Sequence, residues 1–147
     1  QAVVCVVQSA IILGIALAMG ARFPGGARGA AVLVAVAVVL GAAVASFSHA
    51  LALQIRREES VIAASQFVVL PATFVSSAYL ATELAPAWIQ SVDRWNPVNW
   101  ATDAGRAAMA VDPDWGAVGT RLGALTLLAV VAAALATRAF NRYQASI

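Results

Sequence analysis

The sequence predicts an all-α membrane protein: four transmembrane helices plus a broken, re-entrant outer helical hairpin between the third and fourth. Of 147 residues, 62% are hydrophobic and 11% are charged, with a mean hydropathy of +0.85. A soluble domain carries about 45–50% apolar and about 25% charged residues. The apolar residues gather in four runs long enough to cross a bilayer, and the one long connection holds all four Trp. These features exclude a disordered chain, a secreted disulfide scaffold and a nucleic-acid binder.

The runs are residues 1–20, 30–53, 61–82 and 117–137. The first and third are uncharged, the second holds only His49, and the fourth holds Arg121 near its start. A hydrocarbon core needs about 20 mostly apolar residues in a helix. The alternating polar positions of a barrel wall are missing. The first run has no basic flank and no soluble domain after it, so it does not read as a signal peptide. The sequence opens inside that run, without Met, so a longer protein with further sequence upstream is expected. The expected unit is a single transmembrane domain over 1–147.

Residues 21–29, with Pro24 between apolar runs, form a short turn. Residues 54–60 (QIRREES) form a short charged one. With four spans, both ends share a side with 54–60. That side holds Arg56, Arg57, Arg138 and Arg142, and the other holds Arg22, Arg28, Arg94 and Arg106, with Arg121 at its edge. The positive-inside rule counts such residues near span ends, and here the two sides balance.

The long connection, 83–116, carries Glu83, Asp93, Asp103, Asp112 and Asp114 against Arg94 and Arg106. Trp88, Ile89, Val92 and Trp95 recur at helical spacing, giving an apolar face to bury, and Pro86 suits a first helical turn. Asn96-Pro97 breaks that helix. Asn99 is placed to cap a second one, with Trp100, Ala104, Ala107 and Ala108 on its apolar side. Pattern alone fits two arrangements equally: a re-entrant hairpin covered by protein, or two helices lying on the membrane surface.

The residue inventory removes several chemistries. The chain has no Lys, so it holds neither a P-loop lysine nor a Schiff-base lysine. Cys5 is alone, and one His with seven scattered carboxylates predicts no metal site and no cofactor. His49 with Ser46 and Ser48 invites an intramembrane hydrolase reading. Those residues are neighbours on one helix rather than groups meeting from separate elements, and no Gly-x-Ser-x-Gly elbow accompanies them. A hydrogen-bonded bundle histidine is the simpler account.

Residues 70–109 carry a more specific pattern. An uncharged span with Leu70-Pro71 and Phe74-Val75-Ser76-Ser77 is followed by Pro86-Ala87-Trp88, then Asn96-Pro97, Trp100 and Arg106. This order and spacing resembles the fifth span and outer hairpin of ABC-type drug-exporter permeases of the daunorubicin-resistance class, a type-2 membrane subunit. The resemblance implies a six-span permease with cytoplasmic ends, of which this chain is the third to sixth spans. It implies an ATP-binding cassette subunit as partner, a second permease copy (the same or a different chain), a bacterial cell membrane, and no nucleic acid. ATP would be hydrolysed in the partner, so the chain itself is expected not to be an enzyme.

Candidate sites follow. Pro71, Trp88, Trp95, Asn96, Pro97 and Arg106 are candidates for gating and an outer lid, with Pro71 either a static kink or a flexing point. The acidic groups are expected at the wet rim of that lid. His49, Ser76 and Ser77 are candidates for a substrate path, though serines in a span also return their hydroxyls to backbone carbonyls. Arg56, Arg57, Glu58 and Glu59 form a solvated turn or a contact for the ATPase. Arg121 would snorkel outward or pair with Asp112 or Asp114. Gly119-x-x-x-Gly123 fits a small-residue helix contact. The function the resemblance implies is export of amphipathic or lipophilic compounds such as antibiotics, lipids or glycolipids. The alternative is a four-span scaffold protein without transport.

Overall fold

The structure, a computed structural model, describes residues 2–21, 23–55, 58–76 and 85–144. Among them are six helices and no strand: α1 (Ala2–Ala18), α2 (Gly26–Ile55), α3 (Glu58–Val75), α4 (Ala87–Arg94), α5 (Pro97–Met109) and α6 (Trp115–Gln144). Two are long and apolar enough to cross a membrane, over Gly26–Ala52 and Trp115–Arg138. α1 and α3 are shorter apolar helices. Residues 77–82, the end of the expected third span, lie outside the described residues.

α1 ends where Gly20 adopts a φ of 84°. Its N–H donates to the Leu17 carbonyl and the Ala21 N–H to the Ala16 carbonyl, each at 2.9 Å. This is a Schellman closure, which needs a left-handed residue that glycine supplies without a Cβ clash. The chain then turns back and α1 packs on α2. Their close approach is at Gly41, where a Cβ would lie 2.6 Å from the Cys5 sulfur.

The core is built by α2, α5 and α6. Val36, Ala101, Ala104 and Leu125 are buried together, with Leu40, Trp100 and Leu122 packed against them. α5 runs antiparallel to the first half of α2, and small residues set the register. A Cβ on Gly29 would lie 2.7 Å from the Ala108 carbonyl oxygen, one on Gly25 would strike the same carbonyl, and one on Gly105 would lie 2.7 Å from a Leu33 methyl. At the other end of α5, Pro97 and Val98 share a cavity with Leu40 and Ala43. At Gly25 and Gly29 the two backbones come together. Gly119 and Gly123 have no atom within 4 Å of a built Cβ, so the small-residue motif read there is not used among the described residues.

α6 begins on a cap. The Asp114 carboxylate accepts from the Ala117 N–H at 3.0 Å, satisfying an orphan donor at the positive end of the helix. α3 contains Pro71 and continues for one more turn, to Val75. Pro71 supplies no N–H to the turn before it. The Thr73 hydroxyl donates to the Val69 carbonyl at 2.7 Å, and that of Ser76 to the Thr73 carbonyl at 2.7 Å.

Candidate functional site

The site is the junction of α3, α4 and α5, covered from one side by α6. Asn96 forms it. Its side-chain oxygen accepts from the Val98 N–H at 3.0 Å and caps α5, with Pro97 in the first helical position. The amide nitrogen donates to the Ala72 carbonyl, at 2.6 Å. That carbonyl lies in the last turn of α3, where the Ser76 N–H donates to Thr73 at 3.2 Å instead of to Ala72. One side chain therefore starts one helix and closes another.

Asn99 was the residue expected to start α5, and the structure gives that role to Asn96. The reason is geometric. Asn96 is extended (φ −80°, ψ 117°), as the residue before a proline must be, and the proline ring already holds the φ of a first helical turn. Asn99 lies one turn inside the helix, buried, and its amide donates to Asp103 at 3.3 Å.

Behind Asn96 stands a polar cluster. Asp93, Asn96 and Asn99 are all buried. Asp103 meets Arg121 of α6 at 3.6 Å, so the partner of Arg121 is neither Asp112 nor Asp114. The indole N–H of Trp100 spans the break and donates to the Arg94 carbonyl at 2.8 Å. Oδ1 of Asp93 is buried without a hydrogen-bond partner. Burial raises the Asp93 pKa above 3.8, the Asp103 charge raises it further, and Arg121 lowers it.

The two sides of α4 are the reverse of those in a water-surrounded helix. Trp88, Val92 and Trp95 are 65%, 53% and 76% exposed, while Asp93 is 6% exposed. The apolar face expected to bury looks outward, and an acid expected at a wet rim is inside. An ionisable group within a membrane bundle faces the protein, because hydrocarbon cannot solvate it.

An open cleft of about 660 Å³ lies between α3 and the hairpin. It brings together Pro71, Trp95, Asn96 and Pro97 of the residues read as gating candidates. Trp88 and Arg106 are exposed and do not line it. Ser76 is fully buried near its α3 end. A separate apolar cavity of about 290 Å³ sits between α2, α3, α6 and the start of α5, lined by Phe47, Val69, Val98 and Leu128 among others. His49 is elsewhere, with Ala136, Thr137 and Phe140 around a hollow of about 580 Å³ at the far ends of α2 and α6. Beside it the Ser48 and Ser65 hydroxyls are 3.1 Å apart and link α2 to α3. Arg56, Arg57 and Ser77 lie outside the described residues. Glu58 opens α3 and Glu59 is exposed.

Apolar spacing in the long connection does not reveal this polar cluster. Asp93, Asn96, Asn99 and Asp103 themselves recur at three- and four-residue steps. A polar stripe at helical period was the available signal.

The ABC-2 type transporter family model matches residues 1–110. A curated relative is the daunorubicin resistance ABC transporter permease protein DrrB1 of Streptomyces coeruleorubidus, 29% identical over 140 residues, which are 95% of this chain and 50% of that protein. The chain thus spans about half the length of that relative. No solved structure matches it.

Proposed function

The chain belongs to the ABC-2 type transporter family, and on that premise we propose that it is the last four spans of the permease of an ATP-driven exporter. α1, α2, α3 and α6 belong to the segments that cross the bilayer in this reading. α4 and α5 form a hairpin that enters the membrane from the side of the α1–α2 turn and leaves on the same side.

The observation that carries the re-entrant reading is the register of α5 on α2. Leu40 lies fourteen residues along α2 from Gly26, about 21 Å at 1.5 Å per residue. The hairpin break beside it would lie well inside a hydrocarbon layer about 30 Å thick. The outward Trp88, Val92 and Trp95 and the inward Asp93 support the same depth. A surface-lying pair of helices would turn apolar side chains toward the membrane and acids toward water.

The hairpin is read as the outer seal of a substrate path. The cleft that holds Pro71, Trp95 and Asn96 is the place where that seal meets the flexing half of α3. The cargo class is amphipathic or lipophilic compounds, in keeping with the drug-resistance name of the relative. The chain has no lysine for a phosphate loop, so a separate ATP-binding cassette subunit supplies hydrolysis, and a second permease copy completes the path. Arg56, Arg57, Glu58 and Glu59 are read as the contact for that ATPase, and His49 as bordering the path.

Gentle purification of the full-length permease tests this. It should bring down a nucleotide-binding subunit whose ATPase activity rises on pairing and which efflux requires. Export that continues in cells lacking that subunit would remove the reading.

A further inference from the structure

We propose that Asp93 is a proton-binding site inside the hairpin, and that taking up the proton seats α4 against α5. The seating step rests on the hairpin reading above; the proton site rests on the cluster itself.

Oδ1 of Asp93 is buried and accepts nothing. The contacts made by the neighbouring polar side chains run to other acceptors. Arg121 directs Nη2 to Asp103 at 3.6 Å. Asn99 directs Nδ2 to the same carboxylate at 3.3 Å. Asn96 gives Nδ2 to the Ala72 carbonyl at 2.6 Å, and Trp100 gives its indole N–H to the Arg94 carbonyl at 2.8 Å. A buried carboxylate with an unmet oxygen is costly, and a proton of its own is the cheapest remedy.

The charges facing Asp93 point the same way. α5 presents Asp103 and α6 presents Arg121. α3 presents no titratable side chain from Val68 to Ser76. Arg94, the neighbour on α4 itself, is exposed. Among the described residues, two acids therefore share one guanidinium, which is already paired with the other acid. Burial raises the Asp93 pKa above 3.8, Asp103 adds to that, and Arg121 opposes it. A metal ion would need several oxygens converging, and among the described residues no three acidic, His or Cys side chains gather in that way.

A raised carboxyl pKa fixes the sign of the linkage. Seating gains its full benefit below pH 3.8, where Asp93 keeps its proton whether seated or released. That benefit is lost as pH rises through the higher value of the seated state, because the released carboxyl ionises first. Once ionised, Asp93 becomes a second anion beside Asp103, and α4 is the short element free to withdraw.

The test uses the full-length permease with its ATPase subunit in lipid nanodiscs. Difference infrared spectra between pH 4.5 and pH 8 should contain a protonated-carboxyl band that Asp93→Asn removes. Hydrogen exchange of the α4 amides, corrected for intrinsic rates, should rise by up to tenfold per pH unit between 3.8 and the midpoint of that band, the slope of a single proton, and level off above it. Asp93→Asn should hold α4 protected and flat across the range. Two variants keep Asp93 in place and guard against a folding failure of that one. Asp103→Asn should lower the infrared midpoint and Arg121→Gln should raise it. Absence of an Asp93 band in the wild type overturns the proton site. A band with pH-independent α4 exchange overturns the seating. Loss of ATPase coupling alone would strike the exporter reading and leave the infrared result standing.

Discussion

The side-chain amide of Asn96 donates to the backbone carbonyl of Ala72 at 2.6 Å, across twenty-four positions of sequence. The same side chain accepts from Val98. The start of α5 is thus joined to the α3 turn that follows Pro71 through one residue.

Variants at Asn96 separate the two bonds. Asn96→Ala should cost about 1–2 kcal/mol from the lost cap, and more from the stranded Ala72 carbonyl. Asn96→Asp keeps the cap on α5 but cannot donate to Ala72. Hydrogen exchange in the full-length protein should quicken at the start of α5 and the end of α3 in the alanine variant, and only at the end of α3 in the aspartate one. Efflux should fall in both at normal membrane level. Unchanged efflux in both would reduce the hairpin to a passive anchor.

The glycines divide by what their Cβ would meet. Gly29→Ala presses on the Ala108 backbone, and overpacking of this kind costs about 1–3 kcal/mol. Gly105→Ala meets only the tip of Leu33, a side chain able to turn aside, and should cost less. Gly119→Ala meets nothing within 4 Å and should gain about 0.5–1 kcal/mol of helix propensity. Thermal unfolding of the three variants in detergent gives the order, with Gly29→Ala the lowest melting point.

Topology is open to direct labelling. In a full-length background with Cys5 replaced, single cysteines at Ser60 and Asp114, both exposed, report opposite sides of the membrane. An impermeant thiol reagent on intact cells should mark position 114 and spare position 60. The reverse pattern would invert the orientation and place the hairpin inside.

The helical class and the two long spans were legible because apolar runs of membrane length leave few alternatives. So was the hairpin break, since Asn-Pro restricts the backbone whatever surrounds it. The faces of α4 were read in the wrong sense. Periodicity locates an apolar stripe on a helix but not the solvent it meets, and Trp88, Val92 and Trp95 look the same in sequence whether they pack inward or outward. The Arg121–Asp103 pair was not legible because it depends on the register of α5 against α6, which lies in no local pattern. The close backbone approaches had the same cause. Gly29 and Gly105 matter because α2 and α5 meet there, whereas the motif at Gly119 and Gly123 has spacing without a neighbour.

The glycine seam between α2 and α5 also orders the making of the protein. α5 carries Asp103 and Arg106, and α4 ends on Asp93 and Arg94. Neither segment is apolar enough to leave the insertion channel for lipid unaided. α2 is already synthesised when they emerge and offers its glycine face. Arg121, which holds Asp103, is still inside the ribosome. If the hairpin enters the membrane as proposed, its Asp103 meets Arg121 only after α6 has been made, so α6 is expected to be needed for the two helices before it to settle. Nascent chains arrested just short of α6 should leave Asp103 open to aqueous reagents, and chains carried through α6 should close it. A truncation that removes only the final helix would then release the hairpin to the quality-control proteases as well.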